Sequence, residues 1–224
     1  MKASTPRPEP VVCPNCQKAL TLCVCDAIKA MPSKLSILIL QHPQEPDKHL
    51  GSARLAHLTL PNSTLRVGLS WPNLRKAMGR EVDTQKWAVL YLGSGIKLPE
   101  AKIKNGLHFV SKGSTVVKAP TDLEGLVLLD GTWSQAKTLW WRNAWLLKLK
   151  RAVLLPARKS LYGDLRKEPR KECLSTIETI AETLDILGED AATGTQLRTI
   201  FSKLLERQRE YLKARTPPKK PAAT

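Results

Sequence analysis

Two stretches of this chain are apolar almost without interruption, and they limit its fold more than any other feature. Residues 34–41 read KLSILILQ, and Gly125–Asp130 reads GLVLLD. A strand with one face in water alternates apolar and polar residues, whereas a strand covered on both faces need not. Both runs are far too short to span a membrane and are bounded by polar or turn residues, so each predicts a strand enclosed between two layers. Residues 65–69, 86–92 and 152–155 read as further strands. Residues 47–58 and 134–144 read as helices. A helix is also predicted from near Ser175, with Ile177, Ile180, Ala181 and Leu184 on one face. Another covers 196–213, with Leu197, Phe201, Leu204 and Tyr211 on one face. The alternation predicts an α/β fold with a mainly parallel sheet and helices on both faces.

Cys13, Cys16, Cys23 and Cys25 follow the spacing C-x2-C-x6-C-x-C. Two close pairs can deliver four thiolates to one tetrahedral zinc, and Pro14 and Asn15 suit the tight turn between the first two. Four thiolate ligands would leave no open position, so the zinc expected is structural. The competing reading is a set of unliganded surface thiols. The first ten residues hold three prolines and no apolar core of a secretory signal. A cytoplasmic protein with reduced cysteines is expected, which favours metal ligation over disulfides. Cys173 stands alone and reads as a core residue. The organisation expected is a disordered leader at 1–10, a zinc-binding knuckle at 11–30, a catalytic body at 31–212 and a basic tail at 213–224.

Lys and Arg number 36 against 20 Asp and Glu, a formal charge of +16. Such an excess repels itself in the compact state and suits a polyanionic partner, with nucleic acid first among them. No stretch has the apolar length of a membrane span, and no helix shows a strongly cationic amphipathic face. Candidate RNA contacts are His42, Lys48, Arg54, Arg142, Arg158, Lys159, Arg166, Lys167 and Arg170. His42 and Glu45 read equally well as parts of a capped turn. Trp133, Trp140, Trp141 and Trp145 suggest base stacking, but adjacent Trp140 and Trp141 must face different ways on a helix, so at least one belongs to the core.

The second apolar run ends in Asp130-Gly131-Thr132-Trp133, immediately before a helix. Ligands of parallel α/β sheets gather at the carboxyl ends of strands. Asp130 could take up a proton, Gly131 permits a close approach, Thr132 can orient a ligand, and Trp133 offers a face for a base. Chemistry alone leaves a second reading open, in which Asp130 or Thr132 simply caps the helix. Ser175 and Glu178 likewise form a capping box, and the same helix start can receive a carboxylate.

The Asp-x-Thr-Trp turn after a hydrophobic strand, with the cysteine cluster upstream, resembles the DTW-domain family. Three further blocks agree in order. They are His42-Pro43-x-Glu45-x-x-Lys48 followed by Ala53-Arg54-Leu55; Leu90-Tyr91-Leu92-Gly93; and Ser160-x-Tyr162 with Leu165-Arg166-Lys167-Glu168-Pro169 and Leu174-Ser175-Thr176-x-Glu178. Many relatives have Asn-Thr where this chain has Gly51-Ser52, which keeps a hydroxyl and loses the amide. The resemblance implies a SPOUT-like, knotted α/β domain that transfers the 3-amino-3-carboxypropyl group of S-adenosylmethionine to N3 of a uridine in tRNA. It implies Asp130, Thr132 and Trp133 as the catalytic set. Leu92, Gly93, Leu129, Gly131, Leu155, Ser175, Thr176 and Glu178 would hold the co-substrate. tRNA is the implied partner, with no membrane and no obligate protein partner. Two rival readings are an RNA methyltransferase of similar fold and a non-enzymatic zinc-dependent RNA-binding module.

Overall fold

The protein is described as a computed structural model covering residues 11–45, 49–90, 105–111, 115–166 and 174–215. The elements in chain order are β1 (Ser36–Gln41), α1 (Ala53–Thr59), β2 (Ser63–Val67), α2 (Leu74–Met78), β3 (Trp87–Leu90), β4 (Gly106–Val110), β5 (Val116–Val117), β6 (Gly125–Asp130), α3 (Trp133–Arg142), β7 (Lys150–Leu155), α4 (Thr176–Ile186) and α5 (Ala191–Arg215). The strands form one sheet in the order β2-β1-β6-β3-β7-β4-β5.

β2, β1, β6, β3 and β7 run parallel, while β4 pairs antiparallel with β7 and β5 antiparallel with β4. The sheet is therefore mixed, a refinement of the mainly parallel sheet expected. β4 and β5 were not foreseen, because strands of five and two residues carry too few residues for a period to show. α2 was missed for the same reason. It is held by local chemistry, with Asn73 Oδ1 accepting from Lys76 N at 2.9 Å and Gly79 in the left-handed conformation past its end. The helix expected over 47–58 begins only at Ala53.

Every residue of β1 is buried. Ile37 and Ile39 pack on one side with α1, α4 and α5; Leu38 and Leu40 pack on the other with Leu74, Trp87, Trp140 and Leu146. Alternate residues of a strand point to opposite faces, so one run of four apolar side chains serves two cores. Truncating Leu38 or Ile39 to alanine would cost about 2–5 kcal/mol. α4 and α5 cover that first face, where the Tyr162 ring meets Phe201 edge-on at 5.1 Å. Among the described residues, no helix is long and apolar enough to cross a membrane.

The cysteine segment belongs to this first core. Leu22 and Val24 are fully buried in it, alongside Leu197 and Phe201. Gln196 of α5 donates to the Ala27 carbonyl at 2.7 Å, and Lys203 and Arg207 both reach the Asp26 carboxylate.

Candidate active site

The chain leaves β1 for β2 on one side of it and leaves β6 for β7 on the other. β1 and β6 are adjacent and parallel, so their exits diverge and open a crevice at their carboxyl ends. Gln41 and Asp130 are register partners at those ends. Gln41 Nε2 donates to Asp130 Oδ2 at 2.8 Å, and the Thr176 hydroxyl at the first turn of α4 donates to Oδ1. Asp130 is only 7% exposed. Its carboxylate thus joins two strands and a helix, and two hydrogen bonds leave part of its acceptor capacity open.

Gly131 needs to be glycine. A Cβ there would lie 2.8 Å from Cβ of Gln135 and 3.5 Å from Cβ of His42. Thr132 caps α3 through a reciprocal capping box, with Thr132 N donating to Gln135 Oε1 at 2.7 Å and Gln135 N to Thr132 Oγ1 at 3.4 Å. The cap fixes Trp133, the first helical residue, at the rim with its side chain half-buried. His42 sits in the turn above Asp130. Its N–H donates to the Asp130 carbonyl at 3.0 Å, its carbonyl accepts from Glu45 N, and its Nδ1 accepts from Gln44 N.

Ser175 caps α4, and Glu178 completes the box. The buried Glu178 carboxylate accepts from Ser175 N and Oγ, from Ser160 Oγ at 3.0 Å and from Leu161 N at 2.7 Å. It anchors the 160–162 loop to α4 and has little acceptor capacity left for a ligand. Ser52, at the start of α1, accepts from Ile177 N at 3.2 Å, which gives the retained hydroxyl a role in joining α1 to α4. Leu129 and Leu155 lie at or next to the carboxyl ends of β6 and β7. Leu92, Gly93, Lys48, Lys167, Arg170 and Cys173 lie outside the described residues.

Lys18 was missed by sequence reading. It is 5% exposed and lines a narrow recess with Cys16, Gln41, Glu45 and Arg54. Burial pushes its amine down to about 8, with Arg54 adding to the effect, while Cys16, Asp130 and Glu45 oppose it. A lysine between cysteines reads as a surface charge; only the seating of the knuckle against the sheet encloses it.

The four cysteine sulfurs lie within 4.8 Å of one another. Sγ of Cys13 is 3.7 Å from that of Cys25, and Sγ of Cys16 is 3.7 Å from that of Cys23. A tetrahedral zinc with Zn–S bonds of about 2.3 Å places sulfurs roughly 3.8 Å apart, whereas a disulfide needs about 2.0 Å. The left-handed Gln17 (φ 56°) and the bond from Cys13 N to the Lys18 carbonyl turn the chain to bring the pairs together. Backbone N–H groups of Cys16 and Asn15 lower the Cys13 thiol to about 6, while burial raises Cys16 and pushes Cys25 up to about 12. Thiols this close cannot all ionise unaided, and a bound cation would let them do so. The set can hold a metal ion.

The remaining candidate cations are spread over the surface. Arg142, Arg158, Lys159 and Arg166 are exposed, and Arg166 stacks over Tyr162 at 5.1 Å. Arg54 is half-buried at the recess.

A family model described as the DTW domain matches residues 10–209. This chain belongs to the DTW-domain family. The DTW chain is 30% identical over 187 residues to tRNA-uridine aminocarboxypropyltransferase 2 of Macaca fascicularis, covering 82% of this chain and 58% of that one. It is 31% identical over 182 residues to the protein of the same name from Drosophila melanogaster, covering 78% and 66%. Against tRNA-uridine aminocarboxypropyltransferase A of Arabidopsis thaliana the identity is 24%, over 92% of this chain and 84% of that one. The chain thus spans less than two thirds of the length of the animal relatives. No solved structure matches it.

Proposed function

We propose that this protein transfers the 3-amino-3-carboxypropyl group of S-adenosylmethionine to N3 of a tRNA uridine. The observation that carries the reading is the Asp130 carboxylate held by Gln41 and Thr176 at the point where the strand connections diverge, beside Gly131 and Trp133. The names of the relatives supply the reaction class, and the charge of +16 suits a polyanionic substrate.

The co-substrate supplies an electrophilic γ-methylene on its sulfonium. In the reaction the N3–C bond forms as the S–C bond breaks, and methylthioadenosine leaves. This chain's part is to take the N3 proton and to hold the uracil in line. Asp130 is the base, oriented by Gln41 and Thr176. Trp133 stacks on the uracil, and Thr132 fixes Trp133 by capping its helix. The start of α4 at Thr176 suits the methionine carboxylate. Glu178 acts as a positioning residue through the 160–162 loop.

The cysteine geometry supports zinc, held by Cys13, Cys16, Cys23 and Cys25 with no open position, hence structural. The DTW-domain match suits a SPOUT-like, knotted domain, with which the parallel block β2-β1-β6-β3-β7 is compatible. A tRNA substrate suits the cytoplasm as its compartment.

The test is incubation of the protein with unmodified tRNA and S-adenosylmethionine, followed by nucleoside and coproduct mass spectrometry. Aminocarboxypropyl-uridine with methylthioadenosine is the expected result. S-adenosylhomocysteine would identify a methyltransferase, and absence of co-substrate binding by calorimetry would identify an RNA-binding module.

A further inference from the structure

α3 begins at the candidate active site and carries three tryptophans, which the fold separates. Trp140 is 7% exposed and packs in the second core with Trp145 from the following turn, whose indole N–H donates to the Trp71 carbonyl at 3.0 Å. Trp141 is 76% exposed, the highest value of any large apolar side chain among the described residues. An indole this exposed offers a wide planar apolar face to a partner.

The surroundings of Trp141 indicate the chemistry of that partner. Trp133, Lys137 and Trp141 follow one another at i, i+4 and i+8 along a single ridge of α3. Lys137, Arg142 and Lys148 are all exposed. From Gly131 to Lys150 the sequence contains no Asp or Glu. The segment thus presents an indole with Lys137 one turn before it, Arg142 next after it and Lys148 in the following turn, and no acidic residue of its own. An anionic chain bearing planar bases complements that combination, through phosphates on the cations and a base on the ring. Trp141 lies about 12 Å along the helix from Trp133, the length of roughly three to four stacked nucleotides.

We propose that Trp141 is a second nucleobase platform. It stacks an unpaired base of the same tRNA a few nucleotides from the target uridine, while Lys137 holds an intervening phosphate and Arg142 and Lys148 hold phosphates beyond the stacked base. The inference rests on tRNA being the substrate.

The test is the affinity of the full-length protein for unmodified tRNA across a salt series, for wild type, Trp141→Ala, Trp141→Phe and Lys137→Ala. Trp141→Ala should weaken binding about tenfold, with Trp141→Phe recovering most of the loss. The log-affinity against log-salt slope should be unchanged in Trp141→Ala and shallower by about one in Lys137→Ala. Ile186→Ala, an exposed apolar change at the far end of α4, should bind as wild type. Unchanged tRNA affinity in Trp141→Ala would remove the platform alone, whereas a wild type that bound no tRNA would remove the substrate reading with it. The platform also falls if sedimentation shows that Trp141→Ala merely splits a dimer, or if the substitution affects only binding to anionic vesicles.

Discussion

At the scale of single residues, Asp130 is the sharpest test because its surroundings tolerate the conservative change. Asparagine keeps an oxygen for the Thr176 hydroxyl, and its amide can donate to Gln41 once that side chain flips. Asp130→Asn should therefore melt within a few degrees of wild type and lose transfer by at least about a hundredfold, read as acceptance of radiolabel from S-adenosylmethionine into tRNA. A second residue-scale effect concerns pH. His57 on α1 is half-buried, with Nδ1 2.8 Å from Ser63 Oγ. Burial, and then the charge of Arg54, hold its pKa below the ordinary value. The unfolded chain takes up this proton at higher pH than the folded one. The stability from neutral His57 is thus fully present above about pH 6.5 and falls as pH drops below it. His57→Gln should shrink the loss of melting temperature between about pH 7.5 and about pH 5.5. The turn at 130–133 was legible from the sequence as a ligand site or a cap; in the structure Thr132 caps the helix that carries Trp133, so the cap serves the candidate site. Lys18 was not legible, since its burial comes from contacts made only after the knuckle docks.

At the scale of elements, legibility followed length and enclosure. β6 lies over the residues its apolar run predicted, and α4 begins at the capping box. Both signals are local and strong. β4 and β5 were hidden because strands of five and two residues show no clear period, and β5, at the edge, needs little apolar character. The pairing of Gln41 with Asp130 depends on strand order, which no periodicity encodes. The cysteine segment is where the elements depend on one another most. Leu22 and Val24 lie in the main core, so loosening the four thiols should disturb more than a surface loop. Removing bound metal with a chelator, or replacing Cys16 by serine, should lower the melting temperature by several degrees. Metal analysis should return about one equivalent of zinc for wild type.

At the scale of the whole molecule, the net charge of +16 is the dominant fact. Six to ten phosphate contacts would cost about three to five decades of affinity between roughly 50 and 200 mM salt. Binding to unmodified tRNA should show a log–log slope of about −5 or steeper, and the double substitution Arg158→Ala, Lys159→Ala should flatten it by about two. A slope near zero would exclude these cations as phosphate contacts.

The docking of the cysteine segment on α5 joins two parts of the chain that leave the ribosome far apart in time. Asp26 and Lys203 are separated by 177 residues. At translation rates of 5–20 residues per second, about 10–35 s pass between their syntheses. During that interval the four cysteines can come together, yet Leu22 and Val24 have no α5 to lie against. The nascent chain would carry the cysteine segment on an unfinished core, and a chaperone that shields apolar surface would find its target at Leu22 and Val24.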